Sequence, residues 1–300
     1  MVVFPFSNPA HVGVVVRTPE NVIERLSYLG IGPFAPPPIP RWIGEICFRG
    51  KPSKAKMKAF IGNAAEVDIE LLQPLAGETP YQEFLDRRGD GIHHLAFNID
   101  DLDGVVASFV KNGANVIFNG NWEGGGFAYL DLGLNDLIFE AVQGQPKAKI
   151  SQARKSTLAK LGVGVVTKNA ERMVERLLLF GMGPFERLSL PPDYRQNFRG
   201  KPYFSTHKSF GTMIGQVRLE IHQPLYEGES PYNELLRRKG EGFSYISFKI
   251  NNIDIETAKL EMKGYKQYFD SKWEGGQATY LDVGAGGLII ELVQRGSNPI

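Results

Sequence analysis

Four side chains in the first half of the chain are of types that bind divalent metals: His11, Glu70, His94 and Glu140. Glu70 lies in Val67-Asp-Ile-Glu-Leu-Leu72 and Glu140 in Leu137-Ile-Phe-Glu-Ala-Val142. A glutamate inside such an apolar run is costly to bury unless it is paired or bound to a cation. A single histidine in an apolar strand is more often a hydrogen-bonded core residue than a ligand. Two imidazoles and two carboxylates in matched positions point to a metal instead. That donor set suits a borderline or hard divalent ion: Zn²⁺, Ni²⁺, Co²⁺, Mn²⁺ or Fe²⁺. An octahedral ion held by four protein groups keeps two positions open. A substrate chelating through adjacent oxygens would fill them, and the ion would polarise its carbonyl and stabilise an enolate.

The elements that must position these groups form a pattern that occurs twice. His11–Val16 is β-branched and reads as a strand. Thr18-Pro19 supplies an N-cap and a first-turn proline, Val22, Ile23, Leu26 and Leu29 follow at helical spacing, and Gly30 stops the helix. Glu66–Leu72 is a strand. The pattern then restarts: Ile92–Ile99 as a strand, Asp101 or Asp103 as a cap, Val105, Val106, Phe109 and Val110 on a helix ending at Gly113, then strands at Phe127–Leu132 and Leu137–Val142. Thr79-Pro80 opens a short helix between the two units. Each unit thus gives a histidine from its first strand and a glutamate from its last. Strand alternation places His94 on one face with Ile92, Ala96 and Asn98, and sends His93 to the other with Leu95 and Phe97.

The whole arrangement is itself repeated. Gly30-Ile-Gly-Pro-Phe34 returns as Gly181-Met-Gly-Pro-Phe185, Phe48-Arg-Gly-Lys-Pro52 as Phe198-Arg-Gly-Lys-Pro202, and Trp122-Glu-Gly-Gly125 as Trp273-Glu-Gly-Gly276. Residues 1–147 form a metal-binding domain, and residues 155–300 a degenerate copy. The polar, basic segment Gly144–Lys155 reads as the linker. In the copy, Gly162 and Tyr245 stand where His11 and His94 would be. Glu220 and Glu291 persist, and His222 shares a strand face with Glu220. That half reads as structural or pocket-completing.

With 300 residues, 42% apolar and 22% charged, the chain is globular. Its formal net charge of +1, spread along the sequence, speaks against a nucleic-acid or membrane partner and leaves a small-molecule substrate. The single cysteine, Cys47, rules out an intrachain disulfide and fits a reducing, cytoplasmic setting. The N-terminus does not read as a signal peptide, and no apolar run would span a bilayer. The tandem acts as a monomeric pseudo-dimer or pairs as a homodimer.

At Ala10-His-Val-Gly-Val-Val15, Ile69-Glu-Leu-Leu-Gln-Pro-Leu75, Gly91-Ile-His-His-Leu-Ala96 and Leu137-Ile-Phe-Glu140 the chain resembles the vicinal oxygen chelate superfamily. That superfamily takes in glyoxalase I, methylmalonyl-CoA epimerase, extradiol dioxygenases and bleomycin-resistance proteins. The closest local likeness is to the epimerase, over about His11 to Gln143 and more weakly in the second copy. The resemblance implies an α+β fold of two tandem domains, each of two βαβββ units whose mixed sheet curves around a cleft. It implies His11, Glu70, His94 and Glu140 as ligands of one divalent ion. Two departures speak against CoA recognition: the region Arg41–Asn63 is longer than a compact epimerase needs, and Trp122-Glu-Gly-Gly-Gly126 replaces that family's glycine loop.

The resemblance implies an isomerase, epimerase or lyase that works through an enolate. Glu140, released from the ion, is one candidate base. Glu45 is another, from a match of Gly44-Glu45-Ile46 to the epimerase's base-bearing strand. Its counterpart is Gln196 or Arg195, and a solvated surface carboxylate is an equal reading of it. One alternative is an Fe²⁺ ring-cleaving dioxygenase using His11, His94 and one glutamate, although such enzymes usually keep their site in the second half of the chain. Another is a protein that sequesters a ligand without chemistry, its pocket lined by Trp42, Trp122, Phe127, Tyr129 and Trp273. Gly124-Gly-Gly126 reads as a flexible turn, and Arg87-Arg88 and Arg237-Arg238-Lys239 as charges at helix C-termini.

Overall fold

In the computed structural model, which describes residues 6–145, 158–204, 206–226, 228–284 and 287–295, each half of the chain builds one ten-stranded sheet. The first runs β1 (Pro9–Val15), α1 (Pro19–Tyr28), β2 (Phe34–Ala35), β3 (Trp42–Phe48), β4 (Lys51–Pro52), β5 (Lys56–Ala64), β6 (Val67–Ala76), α2 (Pro80–Arg88), β7 (Gly91–Asn98), α3 (Leu102–Lys111), β8 (Asn115–Trp122), β9 (Gly125–Asp131) and β10 (Ile138–Gln143). The second repeats it as β11 (Ala159–Val166), α4 (Ala170–Leu179), β12 (Glu186–Leu188), β13 (Arg195–Phe198), β14 (Lys201–Tyr203), β15 (His207–Ile214), β16 (Val217–Pro224), α5 (Pro231–Lys239), β17 (Gly242–Lys249), α6 (Ile253–Glu261), β18 (Lys266–Trp273), β19 (Gly276–Asp282) and β20 (Ile289–Arg295). Most of the expected linker, from residue 146 onward, lies outside the described residues.

The strand order in the first half is β2-β5-β6-β1-β7-β10-β9-β8-β3-β4. The two units meet at the antiparallel pair β1–β7. Each first strand also lies parallel to its unit's last, β1 beside β6 and β7 beside β10. After β2 the chain crosses to the far edge of the sheet, pairs β3 with β8, and returns as β5. The long Arg41–Asn63 region is therefore a strand exchange between units rather than a loop.

Local chemistry explains most element ends. The Thr79 hydroxyl accepts from the Gln82 backbone N–H at 3.0 Å, and Asp101 accepts from that of Gly104 at 2.9 Å, which settles the cap of α3. Thr18 occupies the cap position of α1, but its side chain makes no capping bond, so Pro19 in the first turn marks that start. Gly125 and Gly126 are strand residues of β9 rather than a flexible turn. A Cβ on Gly125 would lie 1.9 Å from the Gln143 carbonyl oxygen, so the glycine is there for close packing.

Alternation along the strands separates two faces. Val12, Val14, Ile69, Leu71, Leu95, Phe97 and Phe139 pack against the helices, in a core continuous with its counterpart from the second half. Phe109 and Phe180 meet across the halves with ring centroids 4.9 Å apart. Arg176 of α4 donates to the backbone oxygens of Leu132, Asn112 and Gly113 at 2.7, 3.2 and 2.7 Å. Its repeat partner, Arg25 of α1, donates to the Lys263 oxygen at 2.5 Å, so the contact has approximate two-fold symmetry. On the opposite faces each half keeps a separate apolar cluster inside its own cup. No helix among the described residues is long and apolar enough to cross a membrane.

One continuous core predicts cooperative unfolding. Arg176→Ala removes three charge-assisted bonds between the halves and should lower stability by about 2 kcal/mol in urea denaturation, with a single transition retained. Two separated transitions in the wild-type chain would show that the halves are not coupled.

Candidate metal centre

The four adjacent strands β6-β1-β7-β10 carry Glu70, His11, His94 and Glu140. Register brings them level: Gly13 lies opposite both Glu70 and His94, and Glu140 lies opposite Ala96. His11 Nε2 is 3.2 Å from Glu70 Oε2 and 3.1 Å from Glu140 Oε2. His94 Nε2 is 3.2 Å from Glu140 Oε2, 3.9 Å from Glu70 Oε2 and 3.2 Å from His11 Nε2. All four side chains are buried.

These distances fit donors that share an ion. Ligands about 2.1 Å from a common centre sit roughly 3.0–3.4 Å from one another in octahedral or tetrahedral geometry. Glu140 Oε2, despite two imidazole nitrogens close by, has no partner in hydrogen-bonding geometry. A buried acceptor that faces nitrogens without an aligned N–H is what lone pairs converging on one point produce. Among the described residues, His11, Glu70 and His94 form a group whose ligand atoms all lie within 4.8 Å of one another. Burial lowers the His11 pKa, but Glu70 and Glu140 outweigh it and push it up to about 10. Burial raises Glu140, and His11 and His94 more than offset this, holding it near 2. Proton and metal ion would compete for the same negative well.

The placement of His93 corrects a simple alternation. Between Gly13 and Val14 the β1–β7 register slips by one residue, so Ile92 pairs with Val14 and His94 with Gly13. Ile92 joins the helix-side core with Leu95 and Phe97. Both imidazoles turn to the cup side, where the His93 ring packs on Tyr81 and Phe84 at 5.3 and 5.2 Å. A β-bulge re-aims side chains in this way, and its strand pattern is invisible to a strict period of two. Burial, then His94 and Arg88, hold His93 well below the usual histidine range, so it stays neutral.

Gly13 is a site residue that the sequence pattern did not single out. A Cβ there would lie 1.9 Å from His94 Cε1, so the ring lies directly over the glycine backbone. The signal was present, since the second copy retains Gly164 at this place. The Tyr129 hydroxyl is 3.4 Å from His94 Nε2 and 2.7 Å from the Tyr81 hydroxyl. From Tyr129 the aromatic wall continues through Phe127 to Trp42 and Trp122, with centroid separations of 5.6–6.2 Å. Trp273 is not part of it: it packs on Tyr194 in the second half. Glu45 lies on β3, three strands from β10 in the sheet order. It is exposed, in the irregular stretch between Ile43 and Cys47.

The second cup closes on itself. Tyr245 takes the space of His94, its ring lying over Gly164. His222 is bonded on both sides, to Ser209 at 2.8 Å and the Tyr245 hydroxyl at 2.7 Å. Arg218 donates to Glu220 at 2.8 Å. Burial, then the neighbouring Glu220, raise the Glu291 pKa to about 7.

A curved mixed sheet with histidine and glutamate converging from its central strands defines a vicinal oxygen chelate protein. Residues 10–129 match the profile of the Glyoxalase/Bleomycin resistance protein/Dioxygenase superfamily. The fold is similar along nearly its whole length to a mutant 4-hydroxymandelate synthase from Streptomyces coelicolor (TM-score 0.64, 16% identity, 99% of this chain and 95% of that one). It is also similar to a xylose isomerase-like TIM barrel/4-hydroxyphenylpyruvate dioxygenase fusion protein (TM-score 0.55, 11% identity, 98% of this chain and 50% of that one). A stretch of 42 residues is 38% identical to the uncharacterized protein YqjC of Bacillus subtilis (strain 168), covering 14% of this chain and 30% of that protein.

Two outcomes follow. Gly13→Ala should push His94 out of place and weaken divalent-metal binding by about 10–100-fold in chelator competition, the range seen when a ligand loses its support. Gly164→Ala, which makes the same clash with Tyr245, should lower the melting temperature similarly without touching metal affinity. Equal metal affinity in both variants would remove Gly13 from the site. Glu291 gives a pH test. A carboxyl whose folded value lies above its unfolded one stays protonated in the fold while the unfolded chain ionises. Its contribution is therefore fully present below about 4.5, lost as pH rises to about 7, and constant beyond. Glu291→Gln should gain stability over wild type across that window, on the order of 1–3 kcal/mol at pH 8. A difference that does not change with pH would contradict this.

Proposed function

We propose that the first half is a divalent-metal-dependent isomerase, epimerase or lyase acting on a small substrate that chelates through carbonyl or acid oxygens. One observation carries this reading: a second buried carboxylate, Glu140, stands beside both imidazoles with an oxygen in no hydrogen bond. Three ligands would suffice to hold an ion with open positions; the fourth group adds a proton acceptor at the same point. A bound divalent ion supplies Lewis acidity that makes the C–H next to a substrate carbonyl more acidic. His11, Glu70 and His94 would hold it. Glu140 Oε2 would take the proton and return it. A bound ion would itself favour the ionised carboxylate, so Glu140 would act as a base only when its oxygen is released from the ion. The wall of Trp42, Trp122 and Phe127 would exclude water and seat the apolar part of the substrate. Glu45, exposed on β3, is the weaker candidate for the base.

A second reading is an Fe²⁺ dioxygenase. It is favoured by the mutual closeness of His11, Glu70 and His94, since two imidazoles and one carboxylate suit non-haem Fe²⁺. The two proteins of similar fold, a 4-hydroxymandelate synthase and a 4-hydroxyphenylpyruvate dioxygenase fusion, point the same way. A third is ligand sequestration by the aromatic wall alone.

Elemental analysis of protein purified without chelator separates them. About one divalent ion per chain, lost in His94→Ala, supports a metal enzyme. Zinc, nickel, cobalt or manganese with deuterium exchange into small oxo acids in D₂O supports proton transfer, and Glu140→Gln should then cut exchange by about 10²–10⁴-fold with the metal retained. Iron with oxygen uptake selects the dioxygenase. No metal after reconstitution leaves sequestration.

A further inference from the structure

His94 has two ring nitrogens, and the first cup gives each a neighbour. Nε2 faces the cluster, 3.2 Å from His11 Nε2 and 3.2 Å from Glu140 Oε2. Nδ1 lies 3.1 Å from Nδ1 of His93, and both rings are buried. A hydrogen bond between two imidazole nitrogens holds one proton, and its owner decides what Nε2 of His94 can do. If His94 carries it, Nε2 of the neutral ring is a lone pair, free for an ion. If His93 carries it, neutral His94 must keep its own proton on Nε2 and cannot act as a ligand. A protonated His93 would force that second state, because both its nitrogens would be donors. Burial, then His94, Arg88 and Arg87, hold His93 well below the usual histidine range and so disfavour it.

Packing alone does not call for an imidazole at this place. In the second half Ser244 stands at the position of His93 and Tyr245 at that of His94. The neighbours are kept: Gly13, Tyr81 and Tyr129 return as Gly164, Tyr232 and Tyr280, and the register slip recurs between Gly164 and Val165. There Ser244 turns its hydroxyl back to the Gly242 carbonyl oxygen at 3.0 Å, and the Tyr245 hydroxyl bonds His222. On the same scaffold, the imidazole at the first of the two positions is present only where the second is a histidine facing the cluster.

We propose that His93 is a positioning residue of the metal centre: it accepts the Nδ1 proton of His94, fixes the tautomer and plane of that ring, and so leaves the Nε2 lone pair free for the ion. The inference rests on the metal reading of the first cup. A carboxylate is a common partner for the second nitrogen of a ligating histidine. Here Glu70 and Glu140 already match the two charges of a divalent ion, and a third buried carboxylate would lack a counter-charge. A neutral imidazole supplies the acceptor without the charge.

Zinc affinity by chelator competition, measured on the full chain at neutral pH, tests it. His93→Leu loses the acceptor and should weaken zinc binding by about 10–100-fold. His93→Asn can turn its amide oxygen to His94 and should stay close to wild type. Melting temperatures of the metal-free forms show that each variant is folded; His93→Ser, the residue type that the second half carries here, replaces the leucine variant if that one does not fold. Proton NMR gives a second readout: the zinc form should show the His94 Nδ1 proton shifted far downfield, and His93→Leu should move it back. Wild-type affinity in His93→Leu, or an equal loss in His93→Leu and His93→Asn, overturns the proposal and leaves the metal centre standing. A wild-type chain that takes up no zinc overturns the metal reading itself, and this inference with it.

Discussion

Two carboxylates are buried side by side at the centre of the first sheet, and that electrostatic load organises the residues around it. Glu70 and Glu140 come from strands three places apart in the sheet, and His11 and His94 stand between them. Placed in an apolar interior without compensation, each carboxylate would cost several kcal/mol. The local oddities of the fold serve the compensation. The bulge in β7 brings His94 level with Gly13; the missing Cβ at Gly13 lets the ring lie flat on β1; the Tyr81–Tyr129 pair seals the far side. An alanine at Gly13 or a regular β7 would break the convergence while leaving the hydrophobic pattern untouched.

The second half meets the same load by other means. It retains both glutamates, the bulge and the glycine, yet no imidazole stands at the first-strand position. Tyr245 fills the volume of His94 and reaches across to His222, and Arg218 neutralises Glu220. Glu291 is held protonated up to neutral pH by burial and by Glu220, which outweigh Arg295. A carboxylate pair can thus be satisfied by a cation, by a neighbouring arginine or by keeping a proton. The halves use different members of that set on one scaffold. In the second cup the position of His94 is filled by a tyrosine that bonds His222, and Glu220 is bonded by Arg218.

Much of this was legible in the sequence because it depended on repetition. The internal repeat, the strand–helix–strands order and the symmetric origin of two histidines and two glutamates can all be read from residue types and spacing. Geometry that departs from a regular period could not be read. Unbroken alternation places His93 on the helix-side face, and a one-residue slip in β7 reverses it. Gly13 looked like one small residue in a valine run, since what requires it is a ring from another strand. The exchange of β3 across the sheet rests on pairing between Trp42 and Trp122, eighty residues apart in sequence, with no local signature. Arg87 and Arg88 read alike as helix-end charges, but one makes a surface ion pair and the other is buried against the second half.

Duplication explains why the halves could diverge in their cups without loss of fold. The shared core lies on the helix-side faces, where residues of both halves form one continuous cluster, while the cup interiors remain separate from it and from each other. Substitutions inside one cup therefore leave the packing between the halves intact, because energetic coupling falls off between groups that share no partners. The same reasoning applies to the ends of α2 and α5. Asp136 and Gly287 sit at equivalent backbone positions on the rim of the common core, and exchanging a carboxylate for a glycine there alters charge and volume without changing backbone conformation. A tandem built on this plan keeps stability in the joint face and leaves two cups and two rim positions free to acquire different chemistry.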